Sequence, residues 1–466
     1  MRIFCLWCVL MVWAAVAFAQ SDTLKYRVYF TDKSVTEFDL SKPEAFLSEK
    51  SLLRRQRQQL SVDSTDLPVC SRYLRQLEEK GARIVLTGKW LNFATVSFND
   101  TALVRQLAAL PFVRSLRLVW RASQEADWFM QRDSLINRLT KVKGEYYGTA
   151  TRQIHMNAGN RLHEAGFRGQ GFTVGVIDAG FQNVDCMEAM QGIHILGTRD
   201  FVSRSGDYSY ESSSHGTAVL SCLGMNRPEY MVGTAPEASF WLLRSEDEAS
   251  EYPVEEDHWV AAVEFADSVG VDVVNTSLGY YHFDDPAMDY RLSDLNGQVS
   301  LMSRQASLMA DKGILLVCSA GNSGMGVWKK ITPPADADPI LTVGAVDKNG
   351  VLAPFSSVGN TADGRVKPDV MAVGLDADII HTNGMQTKAN GTSFSSPILC
   401  GMAVCLWQAC PTLNVRQLID LVRQSGDRSQ SPDNIYGYGI PDFWKAYQTY
   451  LKQQEEAART SVPPVH

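Results

Sequence analysis

Val174-Gly175-Val176-Ile177-Asp178-Ala179-Gly180 sets a short apolar run directly before an aspartate and a turn. A run of this length and character reads as a buried strand, which places the Asp178 carboxylate at the strand's C-terminal end. Similar runs recur at Phe240 to Leu243, Val271 to Asn275, Ile314 to Val317 and Ile340 to Val343. Between several of them lie helical segments, Gly216 to Gly224, His258 to Ser268 and Leu301 to Lys312. This alternation predicts an α/β fold, a mostly parallel sheet with helices on both faces. Active groups then belong at the C-terminal ends of the strands.

Two further signatures follow Asp178 in order, His215-Gly216-Thr217 and Gly391-Thr392-Ser393-Phe394-Ser395-Ser396-Pro397. Ser393 precedes an apolar helix running from Ser395 towards Gln408, so backbone N–H groups and the positive end of the helix dipole lie beside it. A serine there can simply cap the helix. It can also be a nucleophile, provided a base takes its proton, and imidazole has the right basicity. His215 is the candidate base, with Gly216 leaving room beside the ring. Asp178, buried at a strand end, can accept the far ring N–H and stabilise the imidazolium. Acyl transfer also needs donors aimed at the oxyanion. Asn322, in the turn Ser319-Ala320-Gly321-Asn322-Ser323-Gly324 after Leu315-Leu316-Val317, is one candidate and the Ser393 N–H the other. In isolation that asparagine reads as a turn residue.

The 466-residue chain is 45% apolar, enough for one large domain and a smaller one, and its net charge of −8 carries no basic block. Nucleic acid is therefore not expected as a partner. Residues 1–19 resemble a secretory signal peptide: Arg2, the apolar run Ile3 to Phe18, and Ala17-Phe18-Ala19 before a polar segment. A retained anchor is the competing reading. No later segment is apolar long enough to cross a bilayer, so the expectation is a secreted or periplasmic protein without stable membrane insertion. Residues 20–120 read as a small α+β domain, with helices at Pro43 to Leu60, starting near Ser41, at Cys70 to Lys80, ended by Gly81, and at Thr101 to Leu110. Residues 121–148 read as a linker that could be cut, 149–452 as the large domain, and 453–466 as a polar tail expected to be disordered.

Removal of Cys5 and Cys8 with the signal leaves seven of nine cysteines, some in strongly apolar stretches where disulfides and buried thiols are equally open. His163-Glu164-Ala165-Gly166-Phe167 lacks the second histidine of a zinc helix, and no metal site is assigned. The acidic stretch Glu246 to Asp257 reads as a solvated loop, or, if it rims the cleft, as a preference for basic substrates.

Taken together, residues Thr149 to Leu451 resemble a subtilisin-like serine protease, or subtilase. The resemblance rests on the order Asp178, His215, Ser393, on Ala320-Gly321-Asn322, and on Asn275-Thr276-Ser277-Leu278-Gly279. Thr342 to Asp347, Phe355 to Gly359 and Lys367 to Val370 add to it. It implies a serine endopeptidase working through an acyl-enzyme, with Asp178, His215 and Ser393 catalytic and Asn322 in the oxyanion hole. Ser277, Leu278 and Gly279 would line the substrate pocket. It further implies that residues 20–120 are a propeptide, a folded inhibitor cut between Trp120 and Gly148 in a self-processing zymogen. The partners are then protein or peptide substrates and the chain's own propeptide. No cofactor is required; calcium is frequent in the family, but no complete ligand set matches here, Asp185, Asp336 and Asp338 included. Ala179 departs from the usual Thr or Ser and removes a hydroxyl near the aspartate. An esterase of the α/β-hydrolase type would need the order Ser, Asp, His. A catalytically silent subtilase-fold binding protein and a peptide ligase or cyclase stay as alternatives, the latter because an amine can replace water at the acyl-enzyme.

Overall fold

The computed structural model describes residues 23–122, 132–136, 139–203 and 205–460. The signal-peptide reading of residues 1–19 and part of the linker lie outside the described residues.

The large domain is built on a seven-stranded parallel sheet. Its spatial order is Val370–Val373, Leu341–Val346, Leu315–Ser319, Val273–Thr276, Thr173–Asp178, Ser239–Arg244 and His194–Asp200. Successive side chains of a strand point to opposite faces. Val174, Val176, Val273, Leu315, Val317 and Val343 accordingly enter one apolar core, against the helices His215–Gly224 and Thr392–Ala409. Ile177, Val274, Leu316 and Cys318 enter a second core against Val254–Ser268 and Leu301–Met309. The parallel sheet sandwiched by helices is the architecture the alternating runs predict. Two strands escaped that reading. His194–Asp200 is an edge strand of mixed burial with a register irregularity at Leu196, and Val370–Val373 is only four residues long.

The N-terminal unit is a four-stranded antiparallel sheet, in the order Arg83–Gly88, Phe93–Phe98, Thr23–Phe30 and Val113–Ala122. Tyr73, Leu77, Leu103 and Leu107 from its helices cover Val28, Ala94 and Val96 on one face. The opposite face packs on the large domain. Arg27 and Thr95, paired across neighbouring strands, both reach Asp257, Arg27 Nε donating to Oδ1 at 2.5 Å and Thr95 Oγ1 to Oδ2 at 2.5 Å. The backbone N–H groups of Lys89 and Trp90 donate to Glu264, and Lys89, Arg54 and Arg55 surround the wholly buried Asp267. Glu255, Glu256 and Asp257 are thus buried in the first turn of a helix, where its dipole also favours them, and not part of a solvated loop.

Two expectations need correction. The helix read as Pro43 to Leu60 is a short 3-10 turn, Pro43–Ala45, followed by a separate helix, Glu49–Arg57, which begins where the Ser48 hydroxyl accepts from the Ser51 N–H. Its arginines 54 and 55 are buried in the interface and not solvated. The tail is helical as far as Thr460 in Phe443–Thr460, because helix-forming Glu, Gln and Ala extend a segment already anchored by Phe443, Ala446 and Tyr450. Residues 461–466 lie outside the described residues. Cys70, Cys222, Cys318, Cys400, Cys405 and Cys410 are buried thiols and Cys186 an exposed one, with no disulfide among the described residues.

Candidate active site

Asp178 ends its strand wholly buried. His215 opens the helix His215–Gly224, and its Nδ1 lies 2.7 Å from Asp178 Oδ1. Gly216 makes this approach feasible. A Cβ there would sit 2.3 Å from the Gly180 carbonyl oxygen and 2.9 Å from the Asp178 Cβ, so any side chain would push the helix off the strand end. Asp178 Oδ1 also accepts the Ala179 N–H at 2.9 Å, whereas no donor among the described residues reaches the buried Oδ2. The missing hydroxyl at position 179 thus coincides with an unsatisfied carboxylate oxygen. Burial opposes protonation of the imidazole, but the charge and hydrogen bond of Asp178, helped by Glu246 and Glu248, outweigh it and push His215 up to about 9. Its side chain remains 32% exposed towards the cleft.

Ser393 is the second residue of the buried helix Thr392–Ala409, where backbone N–H groups have no intrahelical acceptor. Pro397, four residues on, supplies no N–H to the Ser393 carbonyl. The Ser277 hydroxyl replaces it, donating to that carbonyl at 2.9 Å. Asn275 steadies the same corner, donating to Ser277 Oγ at 3.2 Å and accepting from Ser396 Oγ at 2.9 Å. The Ser393 hydroxyl donates to the Ser277 carbonyl at 3.4 Å and, among the described residues, not to His215. Asn322 is oriented by Thr392, whose N–H and hydroxyl both donate to Oδ1, at 2.9 and 3.0 Å. That fixes the amide so that Nδ2 is the free end.

These groups share one cleft of about 380 Å³, also lined by Ala179, Glu246, Glu248, Ser277, Leu278, Gly279, Tyr281, Ser319, Gly321, Ser323 and Thr332. Every residue proposed from the sequence except buried Asp178 therefore lines the cleft, and Asp178 reaches it through the imidazole. Ser277 differs from expectation in that its hydroxyl is spent on Ser393. Gly279 is crowded, since a Cβ there would lie 2.3 Å from Thr332 Oγ1. Four lining residues had no individual sequence signal: Thr332, Tyr281, which stacks on Trp328 at 4.5 Å between ring centroids, Glu246 and Glu248. Burial and the nearby Asp178 charge push the Glu246 carboxyl up to about 8. No group of three or more His, Cys, Asp or Glu able to hold a metal occurs among the described residues.

A carboxylate-backed imidazole sharing a cleft with a serine at a helix start defines the class as a serine hydrolase. The match to known proteins makes it narrower: residues 169–439 fit the model of the subtilase family, and the chain belongs to that family. It is a serine-type endopeptidase. Residues 25–132 match the peptidase S8 propeptide domain of Bacteroidota, so the N-terminal unit is a propeptide domain, as expected. Subtilisin DY of Bacillus licheniformis is 29% identical over 285 residues, 60% of this chain and 91% of the relative. Subtilisin J of Geobacillus stearothermophilus is 24% identical over 412 residues, 88% of this chain and 92% of the relative. Among solved structures, the MycP3 protease of a type VII secretion system shares the fold with a TM-score of 0.53 and 23% identity, over 68% of this chain and 93% of that one. The prenylagaramide maturation protease PagA does so with a TM-score of 0.51 and 20% identity, over 63% and 98%. No described helix is long and apolar enough to cross a membrane.

Proposed function

We propose that this endopeptidase cleaves peptide bonds with Ser393 as nucleophile, His215 as general base and acid, and Asp178 as the group that orients and stabilises the imidazolium. Ser393 Oγ attacks the scissile carbonyl carbon while His215 Nε2 takes its proton. The oxyanion is met by the Ser393 N–H and Asn322 Nδ2. The proton then passes to the leaving amine, and water, deprotonated by His215, releases the acyl group. The observation that carries the reading is the 2.7 Å bond that ties an imidazole lining the same cleft as Ser393 to a buried carboxylate. The protein is exported by its first 19 residues and matures by cutting itself between Trp120 and Gly148, and it needs no cofactor. The test is expression from Ser21 onward, wild type beside Ser393→Ala. Wild type should react with a fluorophosphonate and shorten itself, and the variant should do neither. A variant that still shortens itself in pure form would refute the assignment.

A further inference from the structure

The segment Glu246 to Asp257 divides its acids between two tasks. Glu255 accepts the N–H groups of Asp247 and Tyr252, at 2.9 and 3.2 Å, and Glu256 and Asp257 take Arg27 of the propeptide domain. Glu246 and Glu248 instead line the cleft beside His215 and Ser393. Each is held by a neutral hydroxyl, Tyr280 donating to Glu246 Oε1 at 3.1 Å and Ser213 to Glu248 Oε1 at 2.6 Å. Neither forms an ion pair with a lysine or arginine among the described residues. Among the described residues the cleft lining contains no lysine or arginine, and Ser277, Leu278, Gly279 and Thr332, which also line it, are uncharged. Behind the imidazole the wholly buried Asp178, with Oδ2 lacking a donor, adds a further negative charge. A concave surface of one sign concentrates ions of the other. A carboxylate with only neutral partners gains from a cation that completes its hydrogen bonding, and half-buried Glu246 gains more than exposed Glu248.

We propose that Glu246 and Glu248 form an acidic subsite that makes this enzyme select peptides carrying lysine or arginine near the scissile bond, on the imidazole side of the cleft. The assignment rests on the protease reading given above. The two glutamates act on substrate choice and take no part in the proton transfers. They are therefore expected to change the ratio between substrates more than the reactivity of Ser393.

The experiment uses the self-matured full-length product, with its active fraction counted by fluorophosphonate labelling. A peptide set exchanges lysine, norleucine and glutamate at each position on both sides of the scissile bond. Wild type should show one position where lysine exceeds norleucine and glutamate is poorest. Assayed at pH 9, where the Glu246 carboxyl, pushed up to about 8, is ionised, Glu246→Gln and Glu248→Gln should each lower the lysine-to-norleucine ratio of kcat/KM there by about two- to fivefold, the range expected for a partly exposed ion pair. Glu248→Lys, which reverses the charge of the exposed member of the pair, should reverse the preference. Enzyme that labels and cleaves without a charge preference at any position, or a double Gln variant that keeps the ratio, overturns the subsite and leaves the protease reading standing. Protein that neither labels nor cleaves overturns both.

Discussion

The protonation state of His215 sets a steep pH dependence. A general base must be neutral, yet Asp178, Glu246 and Glu248 push this imidazole up to about 9 against the effect of burial. At pH 7 only about 1% of such a ring is neutral, so kcat/KM should climb about fiftyfold between pH 7 and pH 9 and level about a hundredfold above its pH 7 value beyond pH 10. Glu246→Gln combined with Glu248→Gln removes two charges that favour the imidazolium, and the acidic limb should move to lower pH. Initial rates on an uncharged peptide between pH 5.5 and pH 10.5, at constant ionic strength, give the profile, and an NMR titration of the ring in Ser393→Ala assigns it. Stability runs the other way. Because the folded pKa lies above the usual 6.5, protonated His215 stabilises the fold fully below pH 6.5, and this contribution is lost as pH rises through 9. An acidic limb centred below pH 7.5, or a limb unmoved by the double substitution, would refute the reasoning.

Asn322→Ala should lower kcat by about 10²–10³ with little change in KM, the magnitude known for the equivalent donor in subtilisin, while fluorophosphonate labelling slows in parallel; an unchanged kcat would remove Asn322 from the oxyanion hole. Gly216→Ala should lower kcat/KM by at least tenfold, because the new Cβ would lie 2.3 Å from the Gly180 carbonyl oxygen and force the ring from Asp178; the loss of the low-field Nδ1 proton resonance would locate the cause. Ala179→Ser offers Asp178 Oδ2 a donor and should raise the stability by about 1 kcal/mol, read as a higher Tm in thermal unfolding; a lower Tm would show that the hydroxyl does not reach. Burial alone would raise the Asp267 carboxyl, but Lys89, Arg54 and Arg55 hold it well below the usual range. Asp267→Asn removes the carboxylate these cations share, leaving Arg55 only Asp66 and leaving Lys89 and Arg54 without an ion-pair partner among the described residues, and weakens the hold on the propeptide domain by about 3–5 kcal/mol; gel filtration after self-cleavage should show the two parts separating, and continued co-elution would count against the ionic clamp.

Local sequence chemistry determined the parallel sheet, the position of Asp178 at a strand end and the placing of His215 and Ser393 at helix starts. Short apolar runs have few ways to be satisfied other than as buried strands, and glycine or serine before an apolar segment marks where a helix begins. The edge strand His194–Asp200 stayed hidden because half-exposed residues carry no continuous apolar signal. What required the tertiary structure was every relation between distant segments. Ser277 lines the cleft as its motif implies, but only the fold shows Pro397 freeing the Ser393 carbonyl for its hydroxyl. Glu246 and Asp257 belong to one acidic stretch, yet the chain turns one into the cleft and buries the other against Arg27. Composition records how many charges a segment has. Only packing decides which are desolvated and which partner they meet, since Coulomb energy depends on distance and burial and not on separation along the chain.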